Sequence, residues 1–154
     1  MPNWCMNSVQ ISGEEGTLEK IKEAADNNRL LNFLAPLGQD WDYGLAIEKW
    51  GTKWDINEPY CDWDGDDTLQ ISFDSAWGPP LAAYDHAEST MNLEITASFY
   101  EPGMCFVGDR DGSWEFDFED EDWADGIPQD LIIDWCLEEE YENWKEWQEE
   151  EEME

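Results

Sequence analysis

The sequence predicts an α+β fold in which helices cover one face of an antiparallel sheet. Apolar residues alternate with a period of two in several short runs, and in other runs they recur every three to four positions. Of the 154 residues, 41% are hydrophobic and 14% are aromatic, which is enough to build a core despite the acidic composition. The length suits one ordinary domain, so we expect residues 1–154 to fold as a single domain.

The first 34 residues predict a strand, a helix and a further buried segment. Residues 2–12 alternate between apolar and polar positions, and Gly13 ends the strand. Thr17 is the expected cap of a helix that runs to about residue 28. The apolar stripe of this helix consists of Leu18, Ile21, Ala24 and Ala25. Residues 30–34 continue as a buried apolar segment before Pro and Gly interrupt the chain.

The middle of the chain predicts an irregular region followed by regular elements. Residues 39–67 place many aromatic residues among Asp, Gly and Pro, and we expect one short strand near residues 53–57. Three elements follow in the order strand, helix, strand: residues 69–74, from Pro79-Pro80 to about residue 90, and residues 91–100.

A hairpin and a long helix are predicted for the C-terminal third. Residues 103–109 and 113–119 form the hairpin, which turns at Asp111-Gly112. A long acidic helix is expected from Pro128 to at least Gln148, and the final glutamate run is expected to fray. The element order is close to a split βαββαβ unit with this hairpin and helix appended.

Three short motifs carry a family resemblance. Residues 1–7 (MPNWCMN), 50–55 (WGTKWD) and 73–80 (FDSAWGPP), with their spacing, resemble the YubB-like family of plasmid and phage proteins over about residues 1–110. The resemblance implies a ferredoxin-like fold and a phage or plasmid origin, hence action in a bacterial cytoplasm. It implies no activity for individual residues. Residues 111–154, the acidic hairpin and C-terminal helix, are expected to be an elaboration of this member.

Charge is the strongest constraint on function. The chain has 40 Asp and Glu against seven Lys and Arg, a net charge of −33. Residues 1–100 hold 18 acidic and five basic residues, whereas residues 101–154 hold 22 and two. Nucleic-acid binding requires clustered Lys and Arg, so direct nucleic-acid binding is excluded. Salt adaptation would spread the charge evenly, and the asymmetry instead favours a surface for a positively charged partner.

The predicted partner-binding surface combines carboxylates with tryptophans. It consists of Glu115, Asp117, Glu119, Asp120, Glu121, Asp122, Trp123, Glu138, Glu139, Glu142, Trp144, Glu146 and Trp147. Charge steers association, and aromatic anchors supply binding energy. We therefore expect a non-enzymatic acidic interaction protein that occupies the nucleic-acid-binding site of a basic host protein, as a DNA mimic or anti-defence inhibitor. A role of the same charge in solubility alone remains the main rival.

The other tryptophans are expected to serve the core. The candidates are Trp4, Trp54, Trp77 and Trp135. The four cysteines, Cys5, Cys61, Cys105 and Cys136, are widely spaced and are expected to be reduced, buried thiols. No leader peptide and no membrane-spanning stretch are evident, which agrees with the cytoplasm of a bacterial host cell.

No catalytic residue, metal ligand or cofactor is assigned from the sequence. Carboxylate pairs occur by chance at this density, and the single histidine, His86, is expected on a helix surface. One alternative is a small enzyme built around residues 41–63 with Lys53 as an ionic group. Another is a divalent-cation-binding module at residues 62–67, although Gly65 and Phe73 do not fit the calcium-loop pattern.

Overall fold

The structure is a computed structural model that describes residues 3–153, with side chains through residue 152. The described chain contains six strands and six helices. In chain order they are β1 (Trp4–Ser12), α1 (Glu15–Asp26), α2 (Leu30–Leu34), α3 (Tyr43–Lys49), β2 (Tyr60–Asp62), β3 (Thr68–Ala76), α4 (Leu81–Met91), β4 (Glu94–Glu101), β5 (Phe106–Asp109), β6 (Gly112–Glu115), α5 (Gln129–Asp134) and α6 (Leu137–Met153).

All six strands form one antiparallel sheet in the order β2-β3-β1-β4-β5-β6. The predicted α+β class and the antiparallel sheet are therefore confirmed. β1 lies in the middle, where Val9 pairs with Ile71 of β3 and with Ala97 of β4. Since side chains alternate between the two faces of a strand, β1 contributes to two different environments.

The helical face of the sheet carries the larger core. The inward residues of β1 are Cys5, Asn7, Val9 and Ile11, all buried. Against them pack the helices α1, α2 and α4. Helix α1 forms because Leu18, Ile21 and Ala25 recur at helical spacing, and all three are fully buried.

The opposite face carries a second core at the β4–β5 end of the sheet. Tyr100 and Val107 pair across the two strands and are buried. They are covered by apolar residues of the C-terminal segment: Phe116, Trp123, Ile127, Leu131, Ile132 and Leu137. The predicted helices on one face are α1, α2 and α4, whereas the C-terminal helices α5 and α6, for which no face was predicted, contribute to the cover of the opposite face. Alternation directs the side chain of Tyr100 away from that of Phe99, so this face also needs an apolar cover.

The region of residues 39–67 is more regular than predicted. It contains helix α3, whose first turn is capped by Asp42, because Oδ2 accepts a hydrogen bond from Leu45 N at 3.0 Å. The short strand is β2, which pairs with β3, and not residues 53–57. Helix α3 buries only Ala46, so its sequence shows little of the apolar periodicity that marks longer helices.

The predicted long helix from Pro128 is two helices. Helix α5 ends at Asp134 and α6 begins at Leu137, with Cys136 between them at φ 52°. This left-handed residue turns the chain so that Leu137 is fully buried in the second core. Helix α6 then continues to Met153 and includes the glutamate run through residue 152, and the fraying of this run stays a prediction. No Gly or Pro marks the break in the sequence.

The hairpin forms near its predicted position with shorter strands. β5 and β6 are joined at Arg110-Asp111, one residue before the predicted turn at Asp111-Gly112. Residues 116–119 leave the sheet after β6, and Phe116 and Phe118 enter the second core.

Three of the four tryptophans predicted for the core are exposed. Trp4, Trp54 and Trp77 are 46%, 37% and 51% exposed, and only Trp135 is partly buried. Trp50, which was not among these candidates, is buried in the larger core, and its Nε1 donates a hydrogen bond to Ala35 O at 2.8 Å. The large apolar ring of a tryptophan favours burial, but the alternation of side chains along a strand decides on which face of the sheet the ring lies. Trp4 lies on the face of β1 opposite Cys5.

The four cysteines are free thiols in different environments. Cys5 is buried, Cys61 and Cys105 are half-buried, and Cys136 is exposed, so the expectation of burial is wrong for Cys136. Within residues 3–153, no helix has the length and apolarity required to cross a bilayer.

Candidate partner-binding surfaces

The predicted carboxylates form one continuous acidic surface, defined here as residues 115–125 together with α6. Helix α6 contains nine Glu and one Lys in 17 residues, a net charge of −8. At about 1.5 Å per residue it is about 25 Å long. Residues 115–125 add seven exposed carboxylates and no cation: Glu115, Asp117, Glu119, Asp120, Glu121, Asp122 and Asp125.

The charge of the acidic surface is not neutralised within the described chain. The ion pairs found in residues 3–153 are Lys22–Asp26, Arg110–Asp85 and Arg110–Glu88, and none includes a residue of this surface. Its single cation, Lys145, has Nζ 5.3 Å from the ring centroid of Tyr141. The carboxylates are therefore available to an external cation.

An aromatic cluster holds α6 against residues 115–125. The ring of Phe118 lies 5.0 Å from Trp123, 5.5 Å from Tyr141 and 6.1 Å from Trp144, between centroids. Such aromatic contacts add to the energy of burial alone. They place the first two turns of α6 beside the acidic loop, so two rows of carboxylates lie next to each other.

The three tryptophans predicted to bind the partner have different positions. Trp123 is 8% exposed and belongs to the second core. Trp144 is half-buried and stacks on Tyr141. Trp147 is 53% exposed and is the one with a free aromatic surface. The structure brings Trp123, Glu138, Glu139 and Glu142 together around one open cleft, which Tyr141 also lines.

A second surface, not predicted from the sequence, lies on the face of the sheet opposite the large core. We call it the sheet trough. Its floor is made of polar residues paired across β3, β1 and β4: Ser8 with Ser72 and Ser98, and Gln10 with Gln70 and Thr96. One wall is formed by residues 57–60 and the other by α5 with Trp135. The largest section has a volume of about 810 Å³.

The sheet trough is continuous along β1. A section lined by Trp4 and Trp54 shares Asn57 and Asp74 with the central section. The central section in turn shares Ser8, Ser98 and Asp134 with the section around Gln10. Together the three sections follow the outward side chains of β1 from Trp4 to Gln10.

Carboxylates dominate the charge of the sheet trough. Six line it, Asp55, Glu58, Asp74, Asp109, Asp130 and Asp134, and none of the residues that line its three sections is Lys or Arg. Trp135 contributes an unusual group, because its Nε1 is buried and has no hydrogen-bond partner among the described residues. Ser and Gln alternating with Val, Ile and Leu in β1 and β3 are the signal from which a polar face could have been predicted.

The aromatic end of the trough contains a cation–π contact. The rings of Trp4 and Trp54 have centroids 6.2 Å apart with an interplanar angle of 36°. Lys53 Nζ lies 4.4 Å from the Trp54 centroid and 5.9 Å from that of Tyr43. Lys53 therefore makes cation–π contacts with these rings. The enzyme alternative assigned Lys53 as the ionic group of a catalytic site, whereas these contacts give it a structural role.

Asp55 anchors this end of the trough to the helical layer. Its carboxylate accepts hydrogen bonds from Leu31 N at 2.7 Å, Asn32 N at 3.0 Å and Ile56 N at 2.8 Å. Burial raises the pKa of Asp55, and these amide hydrogen bonds oppose the rise. These bonds tie the residue next to Trp54 to the start of α2.

The remaining candidates from the sequence serve local structure. In the loop of residues 62–67, Asp66 Oδ1 accepts from Thr68 N at 3.1 Å and Asp66 O accepts from Trp63 Nε1 at 3.0 Å. His86 is exposed, and its Nδ1 lies 3.0 Å from Leu34 O. In the part of the chain that the structure describes, no group of three or more His, Cys, Asp or Glu side chains is arranged to hold a metal ion.

Comparison of the chain with protein-family models, curated proteins and solved structures finds no match. The resemblance to the YubB-like family therefore rests on the three sequence motifs alone and stays a prediction.

Proposed function

We propose that this chain is a phage- or plasmid-encoded interaction protein, related to the YubB-like family, whose acidic surface binds a basic nucleic-acid-binding protein of the bacterial host. It acts without catalysis in the host cytoplasm, as a DNA mimic or anti-defence inhibitor. The observation that carries the proposal is the pairing of α6 with residues 115–125, which concentrates unneutralised carboxylates on one surface.

The local charge density supports mimicry of a duplex. Residues 137–144 of α6 span about 12 Å and contain four Glu. Residues 115–125 contain seven further carboxylates and pack against this part of the helix through Phe118 and Trp123. Duplex DNA carries one charge per roughly 1.7 Å of axis, or about seven over the same length. Helix α6 alone falls short of that density, and the carboxylates of residues 115–125 bring the packed pair closer to it.

The order of the sheet supports the ferredoxin-like part of the proposal. Four strands lie in the sheet in the order β2-β3-β1-β4, which is the order of a split βαββαβ unit. Along the chain, α1 lies between β1 and β2, and α4 lies between β3 and β4. The hairpin β5–β6 extends the sheet at the β4 edge, and helix α6 follows it along the chain. We propose that the acidic surface is an addition to the ferredoxin-like unit at this edge.

The test is competition with duplex DNA on purified bacterial DNA-binding proteins. A fluorescent duplex is bound to each protein, and the chain is titrated until the duplex is displaced. We expect displacement that weakens steeply between 50 and 300 mM salt, because steering between charged surfaces is screened over about 10 Å at 0.1 M. Poly-glutamate of equal total charge is the control for unspecific polyanion competition, and it should displace less duplex.

Two charge-matched variants locate the effect. One replaces Glu138, Glu139, Glu142 and Glu146 of α6 with Gln. The control replaces the exposed Glu19, Glu23, Glu48 and Glu94 with Gln, outside the acidic surface. We expect the first variant to compete about tenfold less well and the control to match the unaltered chain. Equal competition by both variants, or displacement from none of the proteins, would show that the charge serves solubility only.

A further inference from the structure

We propose that the sheet trough binds an extended, arginine-bearing segment of a protein partner. This site lies on different residues from the acidic surface and does not depend on the proposed function. The trough has the shape, the charge and the aromatic end that such a segment requires.

The shape fits an extended peptide. The trough follows β1 from Trp4 to Gln10, a distance of about 20 Å at about 3.3 Å per residue. An extended segment of six to seven residues has about the same length. The floor presents hydroxyl and amide groups of Ser8, Ser72, Ser98 and Gln70, which donate and accept hydrogen bonds and thus match peptide groups.

The charge selects a cation. Two of the carboxylates, Asp74 and Asp134, are exposed and make no side-chain hydrogen bond to any described residue, although they face the same central section. Guanidinium groups bind carboxylates with two parallel hydrogen bonds, which a compact ammonium cannot do. No Lys or Arg lines the three sections, and Lys53 lies beside Trp54 at one end only, so Asp74 and Asp134 in the central section are left for the partner.

The aromatic end favours arginine over lysine. Trp4 and Trp54 expose ring surface beside Asp74 in the same section. Planar guanidinium stacks on aromatic rings while its edge pairs with a carboxylate, so one arginine side chain can use all three residues. The contact of Lys53 with Trp54 shows that a cation already occupies one side of this ring.

The experiment measures binding of a defined peptide to the full chain. The probe is a fluorescently labelled nine-residue peptide in which arginine alternates with serine, and the comparison peptide has citrulline in place of each arginine. Citrulline has the same shape without the charge. We expect the arginine peptide to bind at least about tenfold more tightly, measured by anisotropy at 150 mM salt. Equal affinity of the two peptides would overturn the proposal.

Matched variants separate the trough from net charge. Asp74→Asn with Asp134→Asn removes two charges from the trough, and Glu149→Gln with Glu150→Gln removes two from the end of α6. Ser72→Tyr blocks the floor without a change of charge, and Ser113→Tyr adds the same ring on β6, outside the trough. We expect about tenfold weaker binding for each trough variant and no change for each control.

The outcomes also separate this proposal from the proposed function. If the Glu149 and Glu150 variant weakens binding as much as the Asp74 and Asp134 variant, the peptide binds by overall charge and the trough proposal fails. If Ser72→Tyr leaves the affinity unchanged, the trough is not the site and the proposal also fails. Competition with duplex DNA is measured on the α6 variants, so either proposal can stand while the other falls.

Discussion

Arg110, in the turn between β5 and β6, places its Nη2 atom 2.7 Å from Glu88 Oε1 on α4. The same arginine donates from Nη1 to Ile95 O at 3.0 Å, and Glu88 Oε2 accepts from Ile95 N at 2.9 Å. This group of contacts fastens the hairpin to the helical layer and to β4. Burial raises the pKa of Glu88, but the hydrogen bonds from Arg110 and the Ile95 amide outweigh it, so the pKa is lowered overall.

We predict that Glu88→Gln lowers the free energy of unfolding by about 1 kcal/mol at pH 7. A carboxyl group with a lowered folded-state pKa contributes stability above its unfolded pKa and loses it as the pH falls through the folded value. The difference in the free energy of unfolding between the variant and the unaltered chain should therefore vanish near pH 2. Urea unfolding at both pH values measures it, with Asp26→Asn at the exposed Lys22 pair as control. An equal loss at both pH values would contradict the assignment.

Phe118→Ala should release α6 from residues 115–125. The ring contacts Phe116, Trp123, Tyr141 and Trp144, and its loss from a half-buried site should cost about 2 kcal/mol. Amide exchange in α6 should accelerate more than exchange in β1. Trp147→Ala, which removes an exposed ring from the same helix, is the control and should change neither stability nor exchange. Unchanged exchange in α6 after Phe118→Ala would argue against this packing.

The break between α5 and α6 predicts opposite effects of two substitutions at Cys136. Its φ of 52° suits glycine, which has no Cβ to clash, and disfavours a β-branched residue. Cys136→Gly should leave the thermal midpoint unchanged or raise it, whereas Cys136→Val should destabilise the fold by about 1–2 kcal/mol. If valine were tolerated better than glycine, α5 and α6 would have to be one continuous helix.

The four thiols should react in a defined order with a disulfide reagent at pH 8. Cys136 is exposed and should react first. Burial, with the charge of Glu101 as the next cause, raises the pKa of Cys5 to about 12, so its thiolate is scarce and its reaction should require unfolding. Burial also raises the pKa of Cys61 and Cys105, which should be intermediate. Cys136→Ser should remove the fast phase alone, and a fast phase that persists would contradict the exposure of Cys136.

Local patterns predicted the strands and helices that carry strong periodicity. Alternation around Val9 and helical spacing from Leu18 to Ala25 both correspond to observed elements. The break at Cys136 was missed because the apolar spacing on either side is compatible with one helix, and a left-handed cysteine leaves no sequence mark. Tertiary packing of Leu137 decides that turn.

The two surfaces differ in how far the sequence could predict them. The acidic surface follows from composition, because unpaired glutamates such as Glu138 and Glu139 are almost never buried, whatever the position of the helix. The burial of Trp123 does not, because it depends on residues 116–137 folding back onto Tyr100. The sheet trough depends on register: Ser8 faces Ser72 and Ser98 only once three distant strands are paired. Spacing along one strand contains no information about those partners.

The position of Tyr100 and Val107 under residues 116–137 has a consequence for how independently the two parts of the chain can fold. A version that ended near residue 110 would leave these two side chains facing water on an open sheet. The acidic surface is therefore attached to the sheet through a core that both parts of the chain share. Neither part is expected to be a self-contained folding unit, because each one buries apolar side chains of the other.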